Sequence, residues 1–465
     1  MIKLQNIKQK MKENFLEYLL YLFIFLLPWQ TRWIFHDSLV GGEIFEYGRM
    51  SIYGFDILLI VILLYCYIVK LVKNNKVIKV KNKTLDIRYW ILNIKSQKLN
   101  IKCQMFFISL IFIGYCLLSI IWSDNKLISL YWGIRMLMGG GLFYLIQKIN
   151  FSKIKLAVVI VTVGALQGLL GIWQFLNQSV WQTKWLGMAG QSAQDLGVSV
   201  VEFGIERWLR AYGSWSHPNI FGASLILSLL AIIYLIPKIK HKYHKMGLIF
   251  ASSFIWLGIL FSFSRASWLL SGIIFIGGLI YIFKIAEGWV KKFAVYLWIY
   301  ILILLIVFTF FCWPIVKTRL NIGESTRLEV MSITERLNGY QQAGEIIKSN
   351  WLVGTGIGNY VFELQDVYTN VYTDVYTLQA VHNISVLILA ELGVLGLVII
   401  LLLNCYLVIV LIKRRQWSYL GLLFILYVLM LFDHWWWTTA SGMYILWVIM
   451  GLGVKQINLD KNWYK

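Results

Sequence analysis

Hydrophobic residues run through this chain in long stretches that charged residues rarely interrupt. Most stretches approach the ~20 residues that an α-helix needs to cross ~30 Å of bilayer hydrocarbon. The pattern predicts an all-α polytopic membrane protein with about twelve transmembrane helices. The predicted spans are 15–29, 52–72, 105–122, 128–147, 155–176, 218–236, 247–263, 267–283, 294–313, 383–412, 417–431 and 443–454.

Composition supports this class. Hydrophobic residues make up 59% of the 465 positions and charged residues only 14%, whereas soluble domains carry about a quarter charged. Many of the 22 Trp and 26 Tyr lie near the ends of the apolar runs, as interfacial aromatic belts do. The first run follows a basic N-terminus and is typical of a retained span. The five cysteines have no paired spacing, so we expect neither a disulfide framework nor a metal site among them.

The net charge of +21 could suggest a nucleic-acid partner, but its distribution favours a membrane. Of the 43 Lys and Arg, 29 fall in alternate segments between the predicted spans. Positively charged loops stay in the cytoplasm, so both termini are predicted to be cytoplasmic. The cytoplasmic segments are then 1–14, 73–104, 148–155, 237–246, 284–293, 413–416 and 455–465.

Two outer segments are long enough to carry function, 177–217 and 314–382. We therefore divide the chain into a membrane domain over 1–313, a large extracytoplasmic loop over 314–382, and a second membrane part over 383–465. Apolar residues recur at helical spacing within 324–350 and predict an amphipathic helix on the outer membrane face. The threefold VYT repeat at 367–377 is interpreted as chance in a Tyr-rich loop.

The outer loop sequence LRAYGSWSHPNIFG contains a candidate anion site. Pro218 suits the first turn of a helix, with Ser216 or His217 as its cap. The helix N-terminus lies beside Arg207 and Arg210, and such a combination binds phosphate. On this motif alone, a well-capped helix start with interfacial arginines is the slightly favoured interpretation.

Two further arginines stand out. Arg265 lies in a tight outer hairpin where the charge bias disfavours a cation, so either an anionic ligand or lipid phosphate should compensate it. Arg135 lies inside a predicted span and is interpreted as the structural partner of a carboxylate such as Asp56.

The stretch AVHNISVLILAELGVLG places His382 and Asn383 where the outer loop enters a span. A neutral imidazole there can accept a proton from a hydroxyl, although such a histidine is more often a cap or an interfacial hydrogen bonder than a base. Glu391 is nine residues further on and half a turn out of phase. We expect it to pair with another helix, with an arginine as the natural partner. Gly393 and Gly396 would let a neighbouring helix approach.

The segment FDHWWWTTASG adds Asp433 and His434 to the predicted outer face. Its tryptophans are interpreted as belt anchors rather than a sugar-stacking platform. GTGIG at 354–358 has neither a preceding strand nor a following Lys-Ser/Thr, so a nucleotide loop is excluded.

In combination and order, these motifs resemble the O-antigen ligase family, whose superfamily also holds O-antigen polymerases. The resemblance covers most of the chain from about residue 105 onward. It rests on Arg210, Gly213, His217, Pro218 and Asn219; on SRA at 264–266; and on GTGIGNY followed by His382, Asn383, Glu391 and Gly393.

The resemblance implies a GT-C-like, metal-independent glycosyltransferase of the bacterial cytoplasmic membrane with no cofactor. It would move a glycan from an undecaprenyl-diphosphate carrier to an acceptor hydroxyl on the outer face. By position, Arg210 and Arg265 match the family's diphosphate-binding arginines, and Arg336 matches an arginine of the outer-loop helix. His382 matches the proposed catalytic base. His217, Asn219, Asn383 and Glu391 would support the site.

Other functions remain open at this point. A polymerase that extends the glycan on its carrier needs the same leaving group and base, although the motifs match the ligase pattern better. A flippase or transporter predicts charged residues throughout the spans, whereas here they cluster at one face. A purely structural membrane protein would leave the outer arginine unexplained.

Overall fold

The computed structural model describes residues 2–40, 42–78, 101–239, 241–322, 327–368 and 378–459. Most of the basic segment 73–104 and of the repeat 367–377 lies outside these residues. Within them, the described helices are Ile2–Leu26, Gly54–Ile78, Ile101–Leu118, Lys126–Lys148, Lys153–Asn177, Pro218–Leu235, Lys242–Phe261, Arg265–Ile285, Gly288–Phe311, Trp313–Arg319, Arg327–Asn350, Tyr360–Tyr368, Ile384–Lys413, Trp417–Phe432, Trp435–Thr438 and Ala440–Leu459.

The protein is a polytopic membrane protein, as predicted, and each of the twelve predicted spans falls on a helix. Seven described helices are long and apolar enough to cross a membrane: Cys103–Ile121, Lys153–Asn177, Pro218–Lys238, Lys242–Phe261, Arg265–Ile285, Gly288–Phe311 and Ile384–Lys413. Four shorter apolar helices are Asn14–Leu26, Gly54–Val69, Trp417–Phe432 and Ala440–Lys455. The predicted span 128–147 lies on Lys126–Lys148, which is in neither group. The count of twelve therefore stays a prediction.

Short strands lie between some of these helices. Their bounds are Arg32–His36, Leu39–Val40, Glu43–Ile44, Met50–Tyr53, Ser179–Val180, Gln191–Ser192, Val200–Phe203 and Glu206–Leu209. Val200–Phe203 pairs antiparallel with Glu206–Leu209, with Val200 opposite Leu209. This hairpin brings the chain back to the residues that precede the HPN motif.

The chain divides into two compact units. The first comprises Met1–Leu19, Ile34–Asn150 and Gly339–Lys465. Here small residues bring helices close, because a Cβ atom on Gly139 would lie 2.1 Å from the Trp447 ring. The ε-ammonium group of Lys455 donates to the carbonyl of Ile146 at 3.0 Å, which satisfies a carbonyl near the end of Lys126–Lys148.

The second unit comprises Leu20–Trp33 and Phe151–Asn338. Lys153–Asn177 packs closely on Lys242–Phe261, because a Cβ atom on Gly168 would lie 2.1 Å from the Phe254 carbonyl oxygen. Only glycine allows two helix backbones to approach this closely. The helix predicted over 324–350 is confirmed as Arg327–Asn350.

Candidate functional site

A cluster of arginines surrounds one buried carboxylate in the second unit. One carboxylate oxygen of Glu329, Oε2, lies 3.1 Å from Nη1 of Arg265. The other, Oε1, pairs with Nη1 of Arg319. Arg319 also donates from Nε to the carbonyl of Phe263 at 2.7 Å. Because Glu329 is 3% exposed, its carboxylate depends on these two guanidinium groups in place of water.

Arg210 adds a third positive charge to this cluster. Its side chain is 5% exposed, and it donates from Nε to the Ser262 carbonyl at 2.8 Å and from Nη2 to Asn219 Oδ1 at 2.6 Å. Burial, followed by the charge of Arg319, lowers the pKa of Arg210 well below its ordinary value. Arg210 thus interacts electrostatically with Glu329, Arg265 and Arg319 without contacting the carboxylate. Three guanidinium groups share the field of one carboxylate, and the surplus positive charge favours an additional anion.

The HPN motif holds Arg210 in place. His217 caps the Pro218–Leu235 helix by accepting from the amide of Asn219 through Nδ1 at 3.1 Å, which confirms the predicted cap. Its Nε2 lies 3.0 Å from Ser199 Oγ, and because Nδ1 accepts, Nε2 carries the proton. His217 and Asn219 therefore position the arginine and neither holds a spare charge.

The loop between Arg210 and His217 is fixed from the Lys153–Asn177 helix. Gln174 accepts from the amides of Tyr212 and Gly213 at 2.9 and 2.8 Å and donates to the Gly213 carbonyl at 2.7 Å. Gly213 has φ +58, and a Cβ atom there would lie 2.6 Å from Gln167 Oε1. Glycine at this position is therefore required by the backbone, which gives this motif residue a structural role.

Arg265 is compensated in a way that the sequence analysis did not anticipate. Its partner in the structure is the carboxylate of Glu329. With 31% of its side chain exposed, Arg265 is the accessible member of the cluster. Arg336 lies seven residues beyond Glu329 on the same helix, about 10 Å along the axis. Its charge acts on Arg319 and helps to lower the pKa of that guanidinium, after the larger effect of burial.

His382 lies in a second group of polar residues, in the first unit. It precedes Asn383, which caps the Ile384–Lys413 helix by accepting from the amides of Ser385 and Val386 at 3.0 and 3.2 Å. Because Asn383 provides the cap, the helix start does not require the imidazole of His382. The ring of His382 lies edge-to-face with that of His434, with centroids 5.1 Å apart.

The His434 imidazole is held from its other side. Its Nδ1 lies 2.8 Å from the hydroxyl of Thr438, and its backbone amide donates to Asp433 Oδ1 at 2.8 Å. Burial is the main cause that lowers the pKa of His434, to about 4. His434 is thus a neutral neighbour of His382 at physiological pH.

Glu391 does not have the arginine partner that we expected from the sequence. Trp437 donates from Nε1 to Glu391 Oε2 at 2.7 Å, and the backbone amides of Gly358 and Tyr360 donate to the same carboxylate. Neutral donors can satisfy this carboxylate because the amides of Gly358 and Tyr360 lie before and at the start of the Tyr360–Tyr368 helix. Amides at a helix start have no partner within the helix and are available to the carboxylate. Trp437 is 5% exposed, so the interpretation of this tryptophan as a belt anchor is also wrong.

The glycine-rich segment 354–358 creates this loop. The Ile384–Lys413 helix is broken at Gly393, which has φ +64 and ψ −172. Amides of Thr355 and Gly356 donate to the carbonyls of Ala390 and Glu391 at 3.0 and 2.8 Å across the break. A Cβ atom on Gly393 would lie 2.3 Å from the backbone oxygen of Leu352, just before this segment, rather than against a neighbouring helix. This corrects our expectation for that glycine.

Arg135 has the structural role that the sequence predicted. It pairs with Asp56 at 3.1 Å and donates to the Ser51 carbonyl and the Tyr131 hydroxyl at 2.6 and 2.7 Å. Tyr444 donates to Asp56 at 2.8 Å. This network uses the charges of both residues and leaves neither for a ligand.

Sequence reasoning missed Arg319, Glu329 and the neighbours of His382 as site residues. Arg319 and Glu329 belong to no motif, and only a carboxylate in the first turn of the predicted loop helix hinted at a role. Asp433 and His434 were noticed, but nothing in the sequence brought them to His382, which is 51 residues earlier.

Comparison with known proteins supports the resemblance drawn from the motifs. Residues 248–401 match the family model described as O-Antigen ligase. The matched segment contains Arg265, Glu329 and His382. No curated protein matches the chain.

Proposed function

We propose, on the premise that residues 248–401 match the O-Antigen ligase family model, that the chain is a glycosyltransferase of lipid-linked glycans. It transfers a glycan from an undecaprenyl-diphosphate carrier to an acceptor hydroxyl. The reaction takes place at the outer face of the bacterial cytoplasmic membrane, with both termini in the cytoplasm. A fold of about twelve spans of the GT-C type would accommodate this topology.

The observation that carries the proposal is the surplus positive charge around Glu329. Arg265 and Arg319 share the single carboxylate of Glu329, and Arg210 donates to neutral oxygens. A diphosphate would supply the negative charge that these three arginines lack. Arg265 is the exposed arginine and contacts the phosphates, while the buried Arg210 and Arg319 supply positive potential behind it. Guanidinium groups suit this task because they bind phosphate oxygens through two parallel donors.

The chemistry needs this charge at the moment of bond cleavage. The bond from the anomeric carbon to the phosphate oxygen breaks, and the electron pair leaves with the diphosphate. The oxygen of the acceptor bonds to the anomeric carbon, and its proton passes to His382. Fixed cations stabilise the developing negative charge on the leaving group, so the protein's own arginines can act without a metal ion. Arg336 adds to the positive potential from the same loop helix.

His382 suits the role of base because Asn383 caps the helix in its place. A neutral imidazole accepts the hydroxyl proton near physiological pH. His217 and Asn219 support the arginines, and Glu391 supports the loop formed by the glycine-rich segment 354–358. These roles divide the polar residues into two groups, one for the leaving group and one for the acceptor.

A polymerase of the same superfamily is the alternative. It would use the same leaving group and the same base, with a second carrier-linked glycan as acceptor. We favour the ligase because the arginine and His-Asn motifs follow that family's pattern. Transport of lipid-linked glycan without transfer is less consistent with the surplus cations, which lie at one buried cluster.

The test measures release of the carrier diphosphate by the purified chain in detergent with EDTA present. Arg265→Gln and Arg319→Gln should each slow release about 100-fold, because each removes a charge worth about 2.7 kcal/mol at the leaving group. Arg207→Gln is the matched control, since Arg207 pairs at the surface with Glu202 and should change release less than twofold. Equal rates for all three variants would overturn the proposal.

A further inference from the structure

His382, Asp433 and His434 form a group that no role above fully uses. One ligand atom from each of the three residues lies within 4.8 Å of the other two. The two imidazole rings are close to perpendicular, at 81°, in the edge-to-face arrangement described above. In the part of the chain that the structure describes, no other three histidine, cysteine or acidic residues meet in this way.

Hydrogen bonds already orient two of these side chains. The Thr438 hydroxyl lies 2.8 Å from Nδ1 of His434, which leaves Nε2 as the ligand atom. Asp433 accepts from the His434 amide through Oδ1, which orients its carboxylate group. Metal-binding histidines are fixed in this manner by a partner on their other nitrogen, which sets the ring orientation.

We propose that His382, Asp433 and His434 form a binding site for a transition-metal cation, with Zn²⁺ as the ion that fits best. Two imidazole nitrogens and one carboxylate oxygen are the donors that zinc accepts, with water as fourth ligand. Ligand atoms about 2.0 to 2.1 Å from a tetrahedral zinc lie about 3.4 Å apart. The ligand atoms of the three residues lie within 4.8 Å of one another, so binding requires side-chain rotations that shorten these separations. Mg²⁺ is disfavoured, since it prefers an all-oxygen octahedral shell.

Occupation of this site inhibits transfer, an inference that rests on the proposed role of His382. The imidazole nitrogen that would accept the hydroxyl proton donates its lone pair to zinc instead. The site therefore makes the reaction sensitive to free zinc, although the reaction itself needs no metal. Binding and inhibition are separate observations, and each can be measured without the other.

The binding experiment uses the full chain in detergent, stripped with EDTA and then freed of chelator. Co²⁺ is titrated as a spectroscopic probe, and Zn²⁺ then competes for the site. Wild type should bind one Co²⁺ with the intense visible absorption of a tetrahedral site, and Zn²⁺ should abolish it. His434→Asn should lose this signal. Thr438→Val should weaken affinity about 10- to 100-fold, whereas Thr438→Ser, which keeps the hydroxyl, should not.

A second histidine pair provides the control for unspecific binding. The ring centroids of His241 and His244 lie 5.7 Å apart at the start of the Lys242–Phe261 helix. The double variant His241→Ala/His244→Ala should keep the tetrahedral cobalt signal of the wild type. If that variant loses the signal, or if His434→Asn binds Co²⁺ as tightly as the wild type, the proposed site is wrong.

The transfer assay separates this proposal from the function on which it rests. Saturating Zn²⁺ should slow carrier release by wild type at least tenfold, Mg²⁺ should not, and EDTA should restore the rate. His434→Asn should transfer within about threefold of wild type and resist zinc. Tight binding without inhibition would contradict the role of His382 as base, whereas transfer in EDTA without any cobalt binding would overturn the metal site alone.

Discussion

Glu329→Gln is the substitution that most sharply probes the arginine cluster. It keeps the size of the side chain and removes the only carboxylate that Arg265 and Arg319 share among the described residues. At 3.1 Å and an effective dielectric constant of about 20, the pair with Arg265 has a Coulomb energy of about 5 kcal/mol. That attraction offsets the desolvation of the charges, so it is not the net stabilisation.

The net effect follows from what the variant leaves behind. Removing one partner of a buried ion pair costs about 3–5 kcal/mol, because the remaining charge stays buried. The Arg265 side chain is 31% exposed, and water can screen it, so we expect the lower end of about 3 kcal/mol. A loss of this size corresponds to a fall of about 6 °C in melting temperature, taking ~2 °C per kcal/mol for a large domain.

Thermal unfolding followed by tryptophan fluorescence in detergent measures this shift. Glu335→Gln is the matched control, because Glu335 is an exposed carboxylate on the same helix and should leave the melting temperature unchanged. Pyrophosphate should raise the melting temperature of Glu329→Gln more than that of wild type, since the variant has one more uncompensated cation. An unchanged melting temperature for Glu329→Gln would refute the inference that the carboxylate holds the arginines.

Two further predictions concern stability. Asp56→Asn should lower the melting temperature and cost about 3 kcal/mol, because it leaves the 3%-exposed Arg135 without its anion. The double variant Asp56→Asn/Arg135→Met should recover part of this loss, and a further loss would contradict the pairing. Gly393→Ala should destabilise the chain by about 1–3 kcal/mol in thermal unfolding, because φ is +64 and a Cβ atom would lie 2.3 Å from the Leu352 oxygen. A Gly393→Ala variant as stable as wild type would argue against the helix break.

Much of the architecture follows from local pattern. Runs of apolar residues predicted the helices because a membrane helix must satisfy its backbone internally and expose apolar side chains. The pairing of Arg135 with Asp56 was predictable for the same reason, since a charge within a span needs a partner. The His217 cap followed from Pro218, because proline suits the first helical turn.

The remaining features depend on contacts that no local pattern encodes. The broken helix at Gly393 was unpredictable because glycines three residues apart equally fit close helix packing. That break places backbone amides around Glu391, so this carboxylate needs no arginine. Arg319 and Glu329 are ten residues apart on two successive helices, and no helical or strand spacing predicts that they pair. Arg319 also donates to the Phe263 carbonyl beside Arg265, a contact between residues 56 positions apart that the sequence does not reveal.

The most direct test of the central claim follows both products of one reaction. Purified chain, carrier-linked glycan and acceptor are mixed in EDTA, and released carrier diphosphate and glycosylated acceptor are quantified together by mass spectrometry. Wild type should form the two products in a one-to-one ratio, and His382→Asn should form both at least 100-fold more slowly, within the range contributed by a general base. Carrier release without glycosylated acceptor, or equal rates for wild type and His382→Asn, would contradict glycan transfer with His382 as the base.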